Sequence, residues 1–399
     1  MGAAPEHGAP SCSQVGLSVE LDDSLQAIAR AGRTRNLRPV EALDGCRVKV
    51  GDRQAISFAS CDYLGLARHP RLAEASAEAA QRVGTSSGSA RLLAGHDESV
   101  AALETELAAA FGSPAALTFS SGYLANLGVV TALAGPGDRI LSDRLSHAST
   151  VDACRLTGAD VRVLPHGDAA ALTRALGESH DGRTLVLVEG VYSMDGDNPP
   201  LAEVVAAAAG RNANVVVDDA HGLGAIGPEG RGAAAAAGVA DRVAVQVGNL
   251  GKALGSFGGF VLCDERTREH FVQSSRAFIY TCALPPTVVA AARAALAVRA
   301  EEPWRTTRLQ QNAQALRDAL RARGLAVPEG VSPIVPVTVG GDERAVTVSA
   351  QLLEAGFFVP AVRPPTVPEG TSRLRLTVTA EHGVDECAAV ADAVAEALS

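Results

Sequence analysis

Three short apolar runs, separated by alanine-rich helical stretches, constrain the fold of this chain more than any other feature. The runs cover residues 185–189, 214–217 and 243–247, and carboxylates stand where two of them end, at Glu189 and Asp218. Runs without polar alternation are typical of strands that are buried on both faces. Their alternation with helices predicts an α/β fold with a mostly parallel sheet, whose functional groups gather where the strands end.

The rest of the chain is predicted to form smaller parts around this sheet. Residues 1–20, rich in Gly, Ala, Pro and Ser, are predicted to be a mobile extension. An N-terminal helix and arm are expected over 21–58, with the helix at 21–38. A large domain is predicted over 59–285, and a small C-terminal α+β domain over 286–399. The strands expected in the small domain are 334–339, 357–362 and 372–379.

Composition excludes several classes of protein. The formal net charge of −10 shows none of the basic surplus of a nucleic-acid-binding domain. The seven cysteines include no Cys-x-x-Cys pair, which argues against a metal site or a disulfide framework and favours a reducing compartment. Because no apolar run is long enough to span a membrane and no secretory signal is visible, we expect a cytoplasmic protein without membrane partners.

Lys252 lies in a glycine-rich turn, residues 248–255, just past the third apolar run. Glycines let the backbone approach a ligand closely, and a lysine in such a turn can reach into the site. Lysine forms a Schiff base with a carbonyl cofactor once desolvation lowers its pKa. A phosphate loop of the Walker type is excluded because Ala253 stands where Ser or Thr is required. Considered alone, the Gly-Lys pair is a weak signal, and a solvated loop lysine is the favoured interpretation.

Asp218 shifts the balance towards a cofactor site. A carboxylate at the end of a buried valine strand is costly unless a cation or several hydrogen bonds compensate it. Pyridoxal phosphate offers a protonated pyridine nitrogen, and an aspartate partner keeps that proton in place. A simple cap on the following turn is the alternative for Asp218 alone. The pairing with Lys252 after the next strand, and with His221 three residues on, favours the cofactor.

Three further groups are candidates for the same site. His147 could stack on a cofactor ring, or could equally be a buried, hydrogen-bonded histidine. The stretch 120–126 leads into a helix whose first N–H groups suit a phosphate, although an ordinary helix cap also explains it. Arg373 and Arg375 share one face of a predicted strand, where an arginine can bind a substrate carboxylate or simply face solvent.

These residues resemble the α-oxoamine synthases, a family of fold-type I pyridoxal-phosphate enzymes, from about Leu21 to the end of the chain. The motifs that carry the resemblance are 62–66, 143–149, 189–197, 218–222, 230–232 and 251–252. The stretch 363–376, together with Phe278-Ile279-Tyr280 ahead of residues 284–286, is most similar to the branch that serves biotin synthesis. That branch implies L-alanine and a pimeloyl thioester, of coenzyme A or of an acyl carrier protein, as substrates. It also implies a homodimer with sites at the subunit interface.

The resemblance implies a role for each matching position. Lys252 matches the Schiff-base lysine, Asp218 the partner of the pyridine nitrogen, and His147 the residue that stacks on the ring. The residues implied to be catalytic are Lys252, His147, Asp218 and His221. Those implied to bind the cofactor are Ser121, Gly122, Tyr123, His147, Ser193, Asp218, His221, Asn249, Lys252 and Thr281. Those implied to bind substrate are Arg35 and Thr366 on the acyl side and Arg375 at the carboxylate.

Three positions depart from the family pattern. Asn249 stands where a phosphate-binding Thr or Ser is usual, and Cys61 replaces an Asn near the substrate. Cys282 replaces a hydroxyl residue in a segment that the family directs at the partner subunit's phosphate, which leaves Thr281 as the nearby hydroxyl.

Three other functions share part of this pattern. A sister enzyme would join glycine to acetyl- or succinyl-CoA, serine to a long-chain thioester, or another amino acid and acyl chain in specialised metabolism. An aminotransferase or decarboxylase of the same fold would keep Lys252 and Asp218 but would not need the acyl-side motif. A non-catalytic partner subunit could dispense with the lysine, so its presence argues against that interpretation.

Overall fold

The computed structural model describes residues 12–399. Its helices, in chain order, are α1 Cys12–Arg30, α2 Pro70–Val83, α3 Glu98–Phe111, α4 Gly122–Leu133, α5 Ala148–Thr157, α6 Ala169–Gly177, α7 Leu201–Ala208, α8 Gly232–Ala236, α9 Glu265–Ser274, α10 Arg276–Ile279, α11 Pro286–Glu301, α12 Trp304–Ala322, α13 Asp342–Glu354 and α14 Val384–Leu398. None of the helices in this part of the chain is long and apolar enough to cross a membrane.

The strands form three sheets. In chain order they are β1 Val40–Ala42, β2 Arg47–Val50, β3 Arg53–Ser57, β4 Ala115–Phe119, β5 Arg139–Asp143, β6 Asp160–Leu164, β7 Thr184–Glu189, β8 Ala213–Asp218, β9 Val245–Asn249, β10 Gly259–Cys263, β11 Ile334–Gly340, β12 Phe357–Phe358, β13 Ala361–Val362 and β14 Ser372–Thr377. The central sheet has seven strands in the order β4-β10-β9-β8-β7-β5-β6.

The central sheet is mostly parallel, and its inner strands β7, β8 and β9 are covered on both faces, whereas the edge strand β6 is largely exposed. Strands β6, β5, β7, β8 and β9 pair in parallel, whereas β10 runs antiparallel to both β4 and β9. Alternate residues of β7 enter opposite cores: Leu185 and Leu187 pack into one, and Val186 and Val188 into the other. The α/β fold with a mostly parallel central sheet is therefore confirmed.

Two smaller sheets flank the central one. The C-terminal sheet has the order β11-β14-β13 and is antiparallel, as the sequence predicts. The predicted strand 357–362 is divided: β12 pairs with β3 of the N-terminal arm, whereas β13 pairs with β14. Pro360, which has no N–H to donate to a neighbouring strand, lies between the two halves.

The N-terminal helix differs from its predicted position, and the structure holds elements that the sequence argument did not predict. Helix α1 begins before residue 21 and ends at Arg30 rather than at residue 38. Two residues after this end, Gly32 takes a positive φ of 64°, which is typical of the residue that follows a helix. Residues 1–11 of the predicted mobile extension lie outside the described residues, and the domain boundaries after residues 58 and 285 stay predictions. The elements that were not predicted include α5, α6, α9 and β10.

Candidate active site

The carboxyl ends of three strands bring the predicted cofactor residues to one edge of the central sheet. Strand β4 leads through Ser121 into α4, β8 ends at Asp218, and β9 ends at Asn249, three residues before Lys252. Since β10 is antiparallel to β4 and β9, these two strands end on the same side as β8. The topology thus collects side chains that are far apart in the sequence.

Lys252 is half-buried, and its amine lies 2.8 Å from Nε2 of His221. Burial lowers the pKa of Lys252 below that of an ordinary lysine, while the nearby Asp218 carboxylate raises it in part. A lysine with a lowered pKa is more often neutral, and the neutral amine is the form that attacks a carbonyl or accepts a proton.

His221 connects this lysine to Tyr63, a residue that was not predicted as a site residue. The Tyr63 hydroxyl lies 2.5 Å from Nδ1 of His221, and both side chains are buried. Burial lowers the pKa of His221 well below its usual value, and the positive charge of Arg375 adds to this effect, so the ring is neutral. When the hydroxyl donates to Nδ1, the hydrogen on Nε2 faces the lysine amine.

Asp218 is held by Asn126, which the sequence argument also missed. One amide hydrogen of Asn126 is donated to Oδ2 of Asp218 at 2.6 Å, and the other to Oγ of Ser149 at 3.0 Å. The Ser149 hydroxyl lies 2.7 Å from Nδ1 of His147. A chain of hydrogen bonds therefore joins Asp218 to His147, whose own side chain is exposed. Asn126 lies within the noted stretch 120–126, so the motif itself was the signal for it.

The start of α4 and the end of β9 lie against each other. Ser121 caps α4 by accepting the Leu124 N–H at 3.1 Å. A Cβ on Gly122 would lie 2.8 Å from the side-chain amide nitrogen of Asn249, so a larger residue here would displace that side chain. Asn249 in turn accepts the Gly251 N–H at 2.7 Å and orients the turn that carries Lys252.

Two predicted cofactor residues direct their hydroxyls elsewhere. The Tyr123 hydroxyl is donated to Asp152, and the side chain is exposed. The Thr281 hydroxyl is donated to the Ala277 carbonyl at 2.8 Å, one helical turn back. Within a single chain, neither hydroxyl hydrogen-bonds to another predicted cofactor residue.

Arg375 and Arg373 both contact the loop after β7, as their common strand face predicts. The Arg375 guanidinium donates to the Ser193 carbonyl at 2.6 Å, and both of its terminal nitrogens lie 4.0 Å from the Cys61 sulfur. Arg373 donates to the Met194 carbonyl at 3.2 Å and pairs with Asp195. Arg375 therefore lies on the site side of the small sheet, where a carboxylate could reach it.

A groove of about 630 Å³ opens beside this loop. It is lined by Met194 at its inner end, and Arg35 and Thr366 are among its other lining residues. Arg35 makes one long contact, 3.5 Å from its guanidinium to the Pro364 carbonyl. The structure thus brings the two predicted acyl-side residues together, next to the loop that contacts Arg375.

Two buried carboxyl groups near Asp218 were not predicted as site residues. Glu189 lies opposite Asp218 in the backbone register of β7 and β8. Burial raises the pKa of Glu189 well above its usual value. Burial also raises the pKa of Asp219 to about 8. Burial therefore favours the neutral form of both carboxyl groups.

These residues fit pyridoxal phosphate. The desolvated Lys252 amine suits its aldehyde, and the fixed Asp218 carboxylate suits its pyridine nitrogen. The start of the 12-residue helix α4, with no side chain at Gly122, suits its phosphate.

The aminotransferase class I and II family matches residues 53–394 of this chain. The 8-amino-7-oxononanoate synthase of Trichlorobacter lovleyi is 47% identical over 92% of this chain and 94% of that protein. The enzyme of the same name from Saccharophagus degradans is 42% identical over 96% of this chain and 97% of that protein.

Solved structures give the same family. A serine palmitoyltransferase variant from S. paucimobilis, bound to pyridoxal phosphate and myriocin, superposes with a TM-score of 0.89 at 32% identity, covering 95% of this chain and 96% of that one. The 8-amino-7-oxononanoate synthase of Francisella tularensis superposes with a TM-score of 0.75 at 28% identity, covering 86% and 97%. The chain therefore belongs to the aminotransferase class I and II family and, within it, to the α-oxoamine synthases, which are pyridoxal-phosphate-dependent acyltransferases.

Proposed function

We propose that this protein condenses L-alanine with a pimeloyl thioester to form 8-amino-7-oxononanoate. The observation that carries the proposal is the 42–47% identity to 8-amino-7-oxononanoate synthases over more than nine-tenths of the chain. The reaction forms one bond, between Cα of alanine and the thioester carbonyl carbon. It breaks the C–S bond and the bond from Cα to the carboxylate, so the thiol and carbon dioxide leave.

Bound pyridoxal phosphate supplies an electron sink for the negative charge that develops on Cα. Lys252, with its lowered pKa, takes the Cα proton and returns one after carbon dioxide has left. Asp218, fixed by Asn126, would keep the pyridine nitrogen protonated, and His147 would stack on the ring. The neutral His221 orients the Lys252 amine by a hydrogen bond before the substrate binds.

The amino acid and the acyl chain would enter from different sides. Arg375 binds the alanine carboxylate by charge-assisted hydrogen bonds. Its hydrogen bond to the Ser193 carbonyl orients the guanidinium for this role. The groove beside Met194, with Arg35 and Thr366 in its lining, accepts the pimeloyl chain. Its thioester is that of coenzyme A or of an acyl carrier protein.

We also propose a homodimer. The described side chains of α1 are exposed throughout, including Leu17, Leu21 and Leu25, which lie one helical turn apart. Leu93 and Tyr280 are exposed as well, the latter beside Thr281. Apolar surfaces of this kind are typical of subunit interfaces. The six cysteines from Cys46 onward are free thiols, which agrees with a cytoplasmic location.

Serine with a long-chain thioester is a second candidate, favoured by the TM-score of 0.89 with serine palmitoyltransferase. The test is release of free thiol from pimeloyl-CoA by the purified, cofactor-loaded protein, with and without L-alanine. Parallel reactions use serine with palmitoyl-CoA and glycine with acetyl-CoA. We expect alanine-dependent release from pimeloyl-CoA, a product with the mass of 8-amino-7-oxononanoate, and an active species of twice the chain mass in light scattering.

The matched control is Lys252→Ala. It should lower turnover by roughly a thousandfold or more, because the base at Cα is lost, and should abolish the visible absorbance that a lysine-bound cofactor shows. Release that depends on serine and palmitoyl-CoA instead would overturn the substrate assignment, and an active Lys252→Ala variant would overturn the role of the lysine.

A further inference from the structure

His166 binds two carboxylates at once, outside the residues that the proposed reaction uses. It follows β6, and its Nδ1 lies 2.9 Å from Oδ1 of Asp143 while its Nε2 lies 2.8 Å from Oδ2 of Asp197. Asp143 ends β5, and Asp197 lies in the loop after β7. The edge of the ring meets Tyr192 at a centroid distance of 4.4 Å. The side chain is only 20% exposed, so solvent weakens these contacts little.

Each of the two aspartates belongs to a loop that reaches the candidate active site. Asp143 also accepts the N–H groups of Leu145 and Gly167, both at 2.8 Å, which holds the turn that ends at His147. The backbone of Asp197 accepts the Tyr192 N–H at 3.0 Å and closes the loop that presents Ser193 to Arg375.

We propose that His166 is a positioning residue, which fixes the turn that carries His147 relative to the loop that carries Ser193 by binding Asp143 and Asp197 together. The assignment rests on the proposed function, in which His147 lies against the cofactor and Ser193 orients Arg375. His166 itself touches neither the cofactor residues nor Arg375, so its effect is transmitted through the two aspartates.

The charge state of His166 makes this link strong. Two carboxylate partners require both ring nitrogens to donate, which only the imidazolium does. Hydrogen bonds from Asp143 and Asp197 raise the pKa of His166 to about 10, against the opposing effect of burial. The other group that faces the ring, Tyr192, has its pKa raised by burial and stays protonated. The link is therefore complete across neutral pH and is lost as pH rises towards 10.

The test compares His166→Gln with His69→Gln, a control histidine that pairs with Glu302 at 3.6 Å and is 14% exposed. Glutamine cannot donate from two ends to both carboxylates. We expect His166→Gln to weaken pyridoxal phosphate binding and to raise the KM for L-alanine, each by roughly tenfold, and to reduce the visible circular dichroism of the bound cofactor. His69→Gln should match the wild type in all three.

Two further measurements separate this inference from the proposed function. Histidine NMR of the cofactor-free protein should show one imidazolium that persists above pH 8 and disappears in His166→Gln. The double variant His166→Gln/Asp197→Asn should bind cofactor no more weakly than His166→Gln alone, because both changes cut the same link. Unchanged cofactor binding and circular dichroism in His166→Gln, or additive losses in the double variant, would overturn the inference. None of these readouts depends on which thioester is the substrate.

Discussion

Asn126 uses both of its amide hydrogens to join Asp218 to the hydroxyl of Ser149. The side chain is 4% exposed, so water cannot replace either bond. If Asp218 pairs with the pyridine nitrogen, the direction of its carboxylate decides how well that proton is held, and Asn126 sets that direction. The cofactor's electronic properties would then depend on Asn126 through Asp218.

Replacing Asn126 with Ala should impair catalysis more than its effect on folding explains. We expect the free energy of unfolding to fall by about 1–3 kcal/mol, because buried partners lose their donor. We also expect kcat to fall by roughly tenfold, because the Asp218 carboxylate is free to rotate.

The matched control is Asn312→Ala. Asn312 is also fully buried and donates to the Thr379 and His382 carbonyls, at 2.9 and 2.8 Å, in the C-terminal part of the chain. It should lose similar stability and keep its kcat. Urea unfolding and steady-state kinetics measure the two effects, and an equal fall of kcat in both variants would contradict the prediction.

At this scale the sequence predicts residues whose chemistry is visible in the local pattern. Asp218 was found because a carboxylate at the end of a buried strand is costly, and Lys252 was found through its pairing with Asp218 after the next strand. Asn126 and Tyr63 stand within noted motifs, but their contacts with Asp218 and His221 are tertiary. Nothing in the local pattern of an amide or a phenol indicates which distant side chain it meets.

Among the elements, three turns close around the buried carboxyl of Asp219. Gly190 follows β7, Gly222 follows β8, and Gly232 starts α8. A Cβ at any of them would lie within 2.1 Å of an Asp219 oxygen. The other side of the carboxyl accepts the Ala233 N–H at 2.7 Å. One structural requirement thus explains the glycines of three separate motifs: without a Cβ, three elements can pack on the Asp219 side chain.

Replacing Gly222 with Ala should therefore destabilise the protein strongly. The new Cβ would meet Oδ1 of Asp219 at 1.9 Å, and the backbone nitrogen of Ala233 at 3.2 Å blocks an easy shift. We expect a loss of about 1–3 kcal/mol in the free energy of unfolding, the usual cost of overpacking. Gly135→Ala is the control, because a Cβ there meets nothing within 4 Å and should change stability little. Denaturant unfolding compares the two, and equal stability would contradict the shared packing.

Elements were predicted well where the pattern was regular. Strand β7 begins one residue before its predicted start, and β8 extends one residue beyond its predicted bounds at each end. The antiparallel β10 was missed although Gly259–Cys263 is an apolar run, because it follows β9 without an intervening helix. The division between β12 and β13 also depends on two different partner strands, which a single sequence does not reveal.

Across the whole molecule, His382 joins the N-terminal arm to the C-terminal part of the chain. Its Nδ1 accepts the Thr379 N–H at 3.0 Å, and its Nε2 donates to the Ser57 carbonyl at 3.1 Å. The ring packs against Phe58 at a centroid distance of 4.5 Å. This arrangement requires the neutral ring, since a protonated Nδ1 could not accept. Burial accordingly lowers the pKa of His382 from 6.5 to about 4.

The protein should therefore lose part of its stability in mild acid through His382. The unfolded chain protonates His382 below about pH 6.5, whereas the folded chain resists protonation down to about pH 4. The stabilisation is complete above pH 6.5 and falls by about 3 kcal/mol as pH drops to 4. His382→Gln should be less stable at pH 7.5 and should lose less on going to pH 5 in urea unfolding. The exposed His270, changed to Gln, should behave as the wild type. If His382→Gln shows the same acid loss as the wild type, other groups are responsible, and the join between arm and C-terminal part does not depend on a neutral ring.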